Sequence, residues 1–590
     1  MNLLTRLLKF AVSVTGKRKV SFALAVTILA VFSLTPRAEA QVPEAAGAAD
    51  STGAKHPYNI ILVLSDQQEF NLLAKDGFDL PARARLERQG TTFENHYIAS
   101  AMCTPSRAAL LSGQPPQVNG VFDQMQTGYV PSLKTDRCVG TVMKQLGYTT
   151  AFFGKFEMDF NILNAKDTVN YSTALQPYGF DTFAPDGEKF GRPDQGYKTD
   201  FYTAGEGVRW LRTNTLESRK SGKPFFLVVS FVNPHDIMYA NANLPGQPRV
   251  QNGVANDALT TPPDNALYRK QWNFSLSPTL DESLKAPGMP SALQEYYTGW
   301  SSCLGYIPSD RKDMWQNFYN YYLNLIKDND SDLQHVVDTM DELGSWKDTI
   351  VIFTADHGEM GGSHGGQRGK GPFCYEDNSH VPFILVHPDY AGGKTCSALT
   401  SHLDLVPTIV GLTGLPQAQR EKAVKGLAGH DFSSVLAAPE QADVHAVRPG
   451  VLFNYVGPMT VDSTYCLASM TNLMTGKLSP PLSQLKSGVS KRGFLTFAFD
   501  GQYKFARYYA PDAFNAPKTM EQIFKYNDVQ LFDLKADPNE THNLALDQDA
   551  NKETILRMNA LLNDLMAKEV GSNNGAFLPE AIRPKGPISF

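Results

Sequence analysis

The stretch MCTPSRAALLSG, residues 102–113, places Cys103 two positions before Pro105 and four before Arg107. Proline in a first turn and glycine just past the end, here Gly113, predict a short helix opening near Cys103. An arginine four residues on lies one turn along the same face, so its guanidinium can return toward the helix N-terminus. That end carries free amide hydrogens and the positive pole of the helix dipole, a natural seat for a tetrahedral oxyanion. Cys103 has three readings at this point: a buried thiol, half of a disulfide, or the reactive centre of an enzyme.

Four other segments read as apolar strands that end in residues able to do chemistry. YNIILVLSDQ ends at Asp66-Gln67, YTTAFFGK at Lys155, KPFFLVVSFVNPHD at His235 and DTIVIFTADHGE at Asp356-His357. One such ending is commonplace, since a strand-end aspartate often caps a helix and a lone histidine is more often a satisfied core residue. Four together point to an active site, because ligands of open parallel sheets bind beyond the carboxyl ends of the strands. Asp66, Gln67, Asp356 and His357 offer oxygen and imidazole donors, a set suited to calcium, magnesium or manganese rather than zinc. Lys155, with Lys370 in GGQRGKGPFCYE, adds positive charge. A divalent metal, several cations and a nucleophile at a helix N-terminus fit an anionic ester, sulfate or phosphate.

The elements that must hold these residues alternate. Between the strands lie LPARARLERQG (80–90), a helix stopped by Gly90; a long amphipathic helix over 319–344; and LDLVPTIVGLTGL, also helical. VPFILVHP reads as a further strand. Such alternation predicts an α/β domain, a large mostly parallel sheet flanked by helices, over residues 58–445. From 446 to 570 the pattern changes: FLTFAFDGQYKFARYY (494–509) reads as a hairpin turning at Asp500-Gly501, then a strand and a helix around 551–568. This predicts a smaller C-terminal antiparallel α+β subdomain, followed by an irregular surface tail, 571–590. The segment 240–300 reads as irregular, either pocket wall or surface loop.

At the N-terminus, Arg6, Lys9, Lys17, Arg18 and Lys19 precede the apolar run VSFALAVTILAVFSL (20–34), and Ala38-Glu39-Ala40 offers a cleavage site. This describes a secretory signal peptide, residues 1–40, with cleavage expected after Ala40 and a periplasmic or secreted product. The run is short for a ~20-residue membrane span, so no stable membrane anchor is expected after cleavage. Residues 41–57 read as a linker. The net charge of -6 argues against a nucleic-acid partner. Six cysteines (103, 138, 303, 374, 396, 466) without a C-x-x-C pair are too few and scattered for a disulfide scaffold, and their pairing stays open.

CTPSRAALLSG matches the C-x-P-S-R-x-x-L-L-[ST]-G signature of the type I, formylglycine-dependent sulfatases at every named position. NIILVLSDQ resembles that family's first metal-binding strand, GYTTAFFGK its G-Y-x-T-x-x-x-G-K segment, and TADHGEMGGSHGGQRGKGPFCYE its second metal segment and downstream lysine. LFDLKADPNETHNLA resembles its C-terminal segment, so the likeness runs from about residue 58 to 545 in family order. The resemblance implies an alkaline-phosphatase-like fold and conversion of Cys103 to formylglycine (3-oxoalanine) by a formylglycine-generating enzyme that reads C-T-P-S-R. One oxygen of the hydrated aldehyde attacks sulfur and the other later expels sulfate, whereas a serine would be left holding the ester. By the same resemblance, Asp66, Gln67, Asp356 and His357 bind one divalent cation together with the modified Cys103. That cation is calcium in most of the family, with manganese or magnesium as alternatives. Arg107 and Lys155 hold the diol, His235 protonates the leaving oxygen, and Lys370 binds the sulfate.

Two positions depart from the common pattern. Asp66-Gln67 and Asp356-His357 stand where many sulfatases have Asp-Asp and Asp-Asn, a combination closer to the choline sulfatase and phosphonate monoester hydrolase branches. Glu157 stands where the G-K-x-H segment has histidine, and a carboxylate pointing inward would repel sulfate. Three functions are therefore weighed: a sulfuric ester hydrolase acting on small-molecule or carbohydrate sulfates, a phosphonate monoester or phosphodiester hydrolase, and a non-catalytic binding protein on the same scaffold. The intact cysteine motif argues against the third, and it favours the precursor of a nucleophile among the readings of Cys103.

Overall fold

Strand β1 (Asn59–Ser65) is buried at every position, as are β5 (Phe225–Ser230) and β6 (Thr349–Ala355). Uninterrupted Val, Ile, Leu and Phe suit strands covered on both faces. The computed structural model describes residues 57–70, 77–163, 171–184, 186–485 and 488–588. The expected signal peptide and all but the last residue of the expected linker lie outside them.

With β2 (Thr91–Phe93), β3 (Thr149–Gly154), β4 (Thr182–Phe183), β7 (Phe383–Val386) and β8 (Lys394–Cys396), these strands form one sheet ordered β4-β3-β5-β1-β6-β7-β2-β8. All pairings are parallel except those of β7, which runs against both neighbours. The longer helices among the described residues are α1 (Pro81–Gln89), α2 (Cys103–Ser112), α3 (Gln195–Ser221), α4 (Ser291–Leu304), α5 (Lys312–Glu342), α6 (Ser463–Met474) and α7 (Lys552–Leu565). α3 packs on β5 and α5, and α1 packs on α5 and β7.

The second sheet is antiparallel, ordered β9 (Val451–Tyr455), β10 (Phe494–Phe499), β11 (Tyr503–Tyr509) and β12 (Asp528–Asp533). The hairpin turns at Asp500-Gly501, where Gly501 has φ 94° and Asp500 Oδ1 accepts the amides of Gln502 and Tyr503. α7 closes a core of Leu452, Phe505, Leu531, Met558 and Leu562 over this sheet. Buried Lys504 of β11 joins the small sheet to the large one through Glu376 and Glu540 (2.7 Å to the latter). Residues His56–Phe590 form one compact unit.

Several elements differ from the sequence reading. The VPFILVHP strand is the antiparallel member of the sheet. The long helix begins at Lys312, earlier than its apolar repeat implied. Helix α3 escaped the reading because most of its inner face is Gly196, Asp200, Thr203, Ala204, Gly207 and Thr215, with Trp210 and Leu211 its large apolar buried residues. At Gly207 a Cβ would lie 3.1 Å from Val229, so small size lets the helix sit close to the sheet. The irregular stretch after residue 240 ends in α4 at Ser291. The tail after Gly571 is irregular but packed, with Leu578 and Ile582 buried. All six cysteines are buried free thiols.

Candidate active site

The four segments singled out by their polar ends are four adjacent strands, β3-β5-β1-β6, with their carboxyl ends at one edge. Asp66 and Gln67 follow β1, Lys155 follows β3, His235 lies five residues beyond β5, and Asp356-His357 follows β6. Gly154 ends β3 at φ 95°, and a Cβ there would lie 1.8 Å from the Ser230 carbonyl oxygen. Only glycine lets the chain turn there and deliver Lys155 inward.

Helix α2 meets this edge end-on. Cys103 is its first residue, all ten of its residues are buried, and Gly113 closes it in the left-handed conformation. Asp66, Cys103, Asp356 and His357 each offer one ligand atom, all within 4.8 Å of one another. His357 Nδ1 lies 3.0 Å from the Gly358 carbonyl, so it carries the proton and turns the Nε2 lone pair inward. Nε2 stands 3.2 Å from Cys103 Sγ, 3.7 Å from Asp66 Oδ1 and 3.6 Å from Asp356 Oδ1. Burial and then the Asp66 carboxylate push the Asp356 carboxyl up to about 7. Burial would raise Asp66 as well, but the charges of Lys155 and Arg107 hold it well below the ordinary range.

This cluster fits a divalent cation. Around it, Arg107, Lys155 and Lys370 face the carboxylates of Asp66, Asp356, Glu157 and Glu359. One formal negative charge is left over, which a divalent ion would turn into one positive charge, the complement of a sulfate monoester anion. Gln67 is turned differently from its neighbours. Its amide nitrogen donates to Glu359, its amide oxygen accepts from Lys370, and its backbone N–H donates to Asp356 Oδ1 at 3.1 Å.

Arg107 touches all four strand ends. Nη2 reaches Asp66 Oδ2 and Nε reaches Asp356 Oδ2, both at 2.9 Å, while Nη1 donates to the Lys155 carbonyl and Ser230 Oγ, both at 2.8 Å. Its donors thus fix the carboxylates and strand ends. Lys155 Nζ stands 2.6 Å from Asp66 Oδ2 and 3.3 Å from Glu157 Oε2. Burial and the Asp66 carboxylate push the Cys103 thiol up to about 12, so as a thiol it is a poor nucleophile at neutral pH.

Above the cluster opens a cavity of about 450 Å³, with Lys370, His235 and Glu157 among its lining residues. Burial, then Lys370 and Lys155, holds His235 well below the ordinary histidine value, so the ring is neutral. Its Nδ1 has no hydrogen-bond partner among the described residues. Glu157 does point inward: its Oε1 accepts from Gln126 at 2.5 Å and its other oxygen faces Lys155.

All the sequence-predicted site residues therefore gather at one edge. Sequence reasoning missed the residues that hold them. Glu359 accepts the amides of Gly361 and Gly369 (2.9 and 2.7 Å) and so ties the Lys370 loop to Gln67; its only signal was its place in DHGE. Ser106 donates to the Asp356 carbonyl and meets His402 Nδ1 at 3.3 Å, and His402 Nε2 reaches the Ala355 carbonyl at 3.1 Å.

Such a site is built to hydrolyse an anionic ester on an alkaline-phosphatase-like sheet. The chain belongs to the sulfatase family, whose model, described as Sulfatase, matches residues 58–415. It is 26% identical over 425 residues to "Arylsulfatase K" of Bos taurus, covering 69% of this chain and 72% of that protein. The fold is shared with a structure of a 2-O GAG sulfatase (TM-score 0.61, 18% identity, 90% of this chain and 98% of that one). It is shared equally with the phosphonate monoester hydrolase of Agrobacterium radiobacter (TM-score 0.58, 20% identity, 90% and 99%). The protein is an enzyme, a sulfatase.

Proposed function

We propose that this sulfatase cleaves organic sulfate esters with residue 103 as the nucleophile position, after Cys103 has been converted to formylglycine. The observation that carries this reading is the convergence of four adjacent strand ends on α2, two of them at Cys103 and all four at Arg107. The conversion supplies a diol oxygen as nucleophile where the thiol is inert. The modifying enzyme acts before folding is complete, because Cys103 is fully buried in the folded chain. Asp66, Asp356 and His357, with Gln67 beside them, would hold a divalent cation, calcium on donor chemistry, which would supply positive charge toward the sulfate.

The chain's own residues do the rest. Arg107 holds both aspartates and two strand ends in register, and Lys155 keeps Asp66 ionised. Lys370 receives the sulfate from the cavity side. His235, on the same side, is neutral beside Lys370 and Lys155. It takes up a proton once the bound sulfate anion offsets those two cations, and passes it to the oxygen of the departing alcohol. The basic, apolar and Ala-x-Ala succession of residues 1–40 supports export to the periplasm or beyond. Among the described residues no helix is long and apolar enough to cross a membrane.

Kinetics on 4-nitrophenyl sulfate and on a 4-nitrophenyl phosphonate ester test the substrate class. The reading expects kcat/KM at least about a hundredfold higher on the sulfate. A clear preference for the phosphonate, or activity surviving in Cys103→Ala, would contradict it.

A further inference from the structure

The cavity over the site has two unlike ends. Its floor carries the polar groups Lys370, His235 and Glu157, whereas its walls are dominated by sulfur and carbon. Five of the chain's sixteen methionines meet there: Met102, Met238, Met459, Met470 and Met474, with Trp300 beside them. Met470, Leu473 and Met474 fall at helical spacings of three and four, so one face of α6 is turned into the cavity. α6 packs on α4, which brings Trp300; Gly299 allows the close approach, since a Cβ there would lie 2.6 Å from Cys466.

Most of the polar side chains of the walls are already engaged, Gln126 Oε1 being the buried wall oxygen left without a partner among the described residues. Tyr239 donates its hydroxyl to the Gly191 carbonyl at 2.9 Å, Gln124 Oε1 accepts the Thr104 amide at 3.1 Å, and Gln126 donates to Glu157. A sugar bound here would find Gln126 Oε1 for one hydroxyl and would bury most of the others without partners, which costs more than the contact returns. Thioether side chains are polarisable and adjust to irregular apolar shapes. A volume of about 450 Å³ exceeds the needs of a single small ring. The exposed cations Arg192 and Lys477 lie at the rim, where they attract an anionic ester without contacting its buried part.

We propose that the alcohol released by this enzyme is hydrophobic, an uncharged alkyl or ring-bearing group seated between α6 and Trp300, and not a sugar or polyanion. This rests on the sulfatase reading and adds the substrate class to it. α6 is then a specificity element contributed from beyond the large sheet.

The test compares sulfate esters of primary alcohols, so that leaving-group basicity stays constant: ethyl, octyl and cyclohexylmethyl sulfate, and N-acetylglucosamine 6-sulfate. The expected kcat/KM rises at least about tenfold from ethyl to octyl or cyclohexylmethyl, and the sugar ester lies below ethyl. In Met470→Gln and Met474→Gln the octyl-to-ethyl ratio falls at least about fivefold. Leu478→Gln, at a half-exposed rim position that does not threaten folding, lowers the same ratio by a smaller factor. Preference for the sugar ester, or an octyl-to-ethyl ratio that none of the three variants changes, overturns the proposal and leaves the sulfatase reading standing. No turnover of any sulfate in the panel, with a phosphonate ester hydrolysed, overturns the sulfatase reading and this proposal with it.

Discussion

Arg107 shows how much of the site depends on one planar fork. It spends its donors on Asp66, Asp356, Ser230 and the Lys155 carbonyl, partners drawn from all four strand ends. Lysine keeps the charge but not the fork, so Arg107→Lys is expected to lower kcat/KM about a hundredfold or more, mainly through kcat. A KM effect alone would place the guanidinium on substrate instead. Glu157 makes the opposite case. Its inward carboxylate stands 3.3 Å from Lys155 and lines the cavity that the sulfate must enter. Glu157→Gln keeps the contact with Gln126 while removing a like charge, so KM for a sulfate ester is expected to fall ~tenfold. A raised KM would show instead that the carboxylate serves the substrate through Lys155. The position was legible as a departure from the family pattern, but its inward direction was not, because φ 60° at Glu157 is a backbone state the sequence does not announce.

At the scale of elements, α2 is held to the end of β6 by His402, which sits between Ser106 and the Ala355 carbonyl. Burial pushes His402 down to about 3, and burial also holds His96, beside it, well below its ordinary value. The unfolded chain takes up these protons near pH ~6.5, while the native state resists until about pH 3. Stability contributed by a neutral His402 is therefore complete above about pH 6.5 and declines as pH falls toward 3. His402→Gln is expected to shrink the drop in Tm between about pH 7 and pH 4. An unchanged drop would show that other groups set the acid limb. The strands that bear the site were legible because each is an unbroken apolar run closed by a polar pair, as in NIILVLS before Asp66-Gln67. α3 and α6 were not. The first has an inner face of mostly small or polar residues, with Trp210 and Leu211 its large apolar ones, and the second turns Met470 and Met474 toward a cavity formed by distant segments.

Across the whole molecule, the carboxyl edge of the large sheet, α2 and the α4–α6 pair enclose a centre that Lys504 ties to the C-terminal sheet. The proposed cation would relieve the mutual repulsion of Asp66 and Asp356 at that centre. Chelation is expected to abolish turnover and lower Tm by several degrees, with both restored by calcium; a Tm indifferent to chelator would contradict a bound ion. Topology was legible from alternation, and the chemistry from residue types at strand ends. The cavity walls were not, because Met102, Met238 and Met459 meet only once the chain is folded. The central claim concerns position 103, and the mass of its tryptic peptide from active enzyme tests it most directly. The account predicts a peptide about 18 Da lighter than the cysteine form, with turnover proportional to the converted fraction. Full turnover from protein whose Cys103 is entirely an unmodified thiol would contradict it.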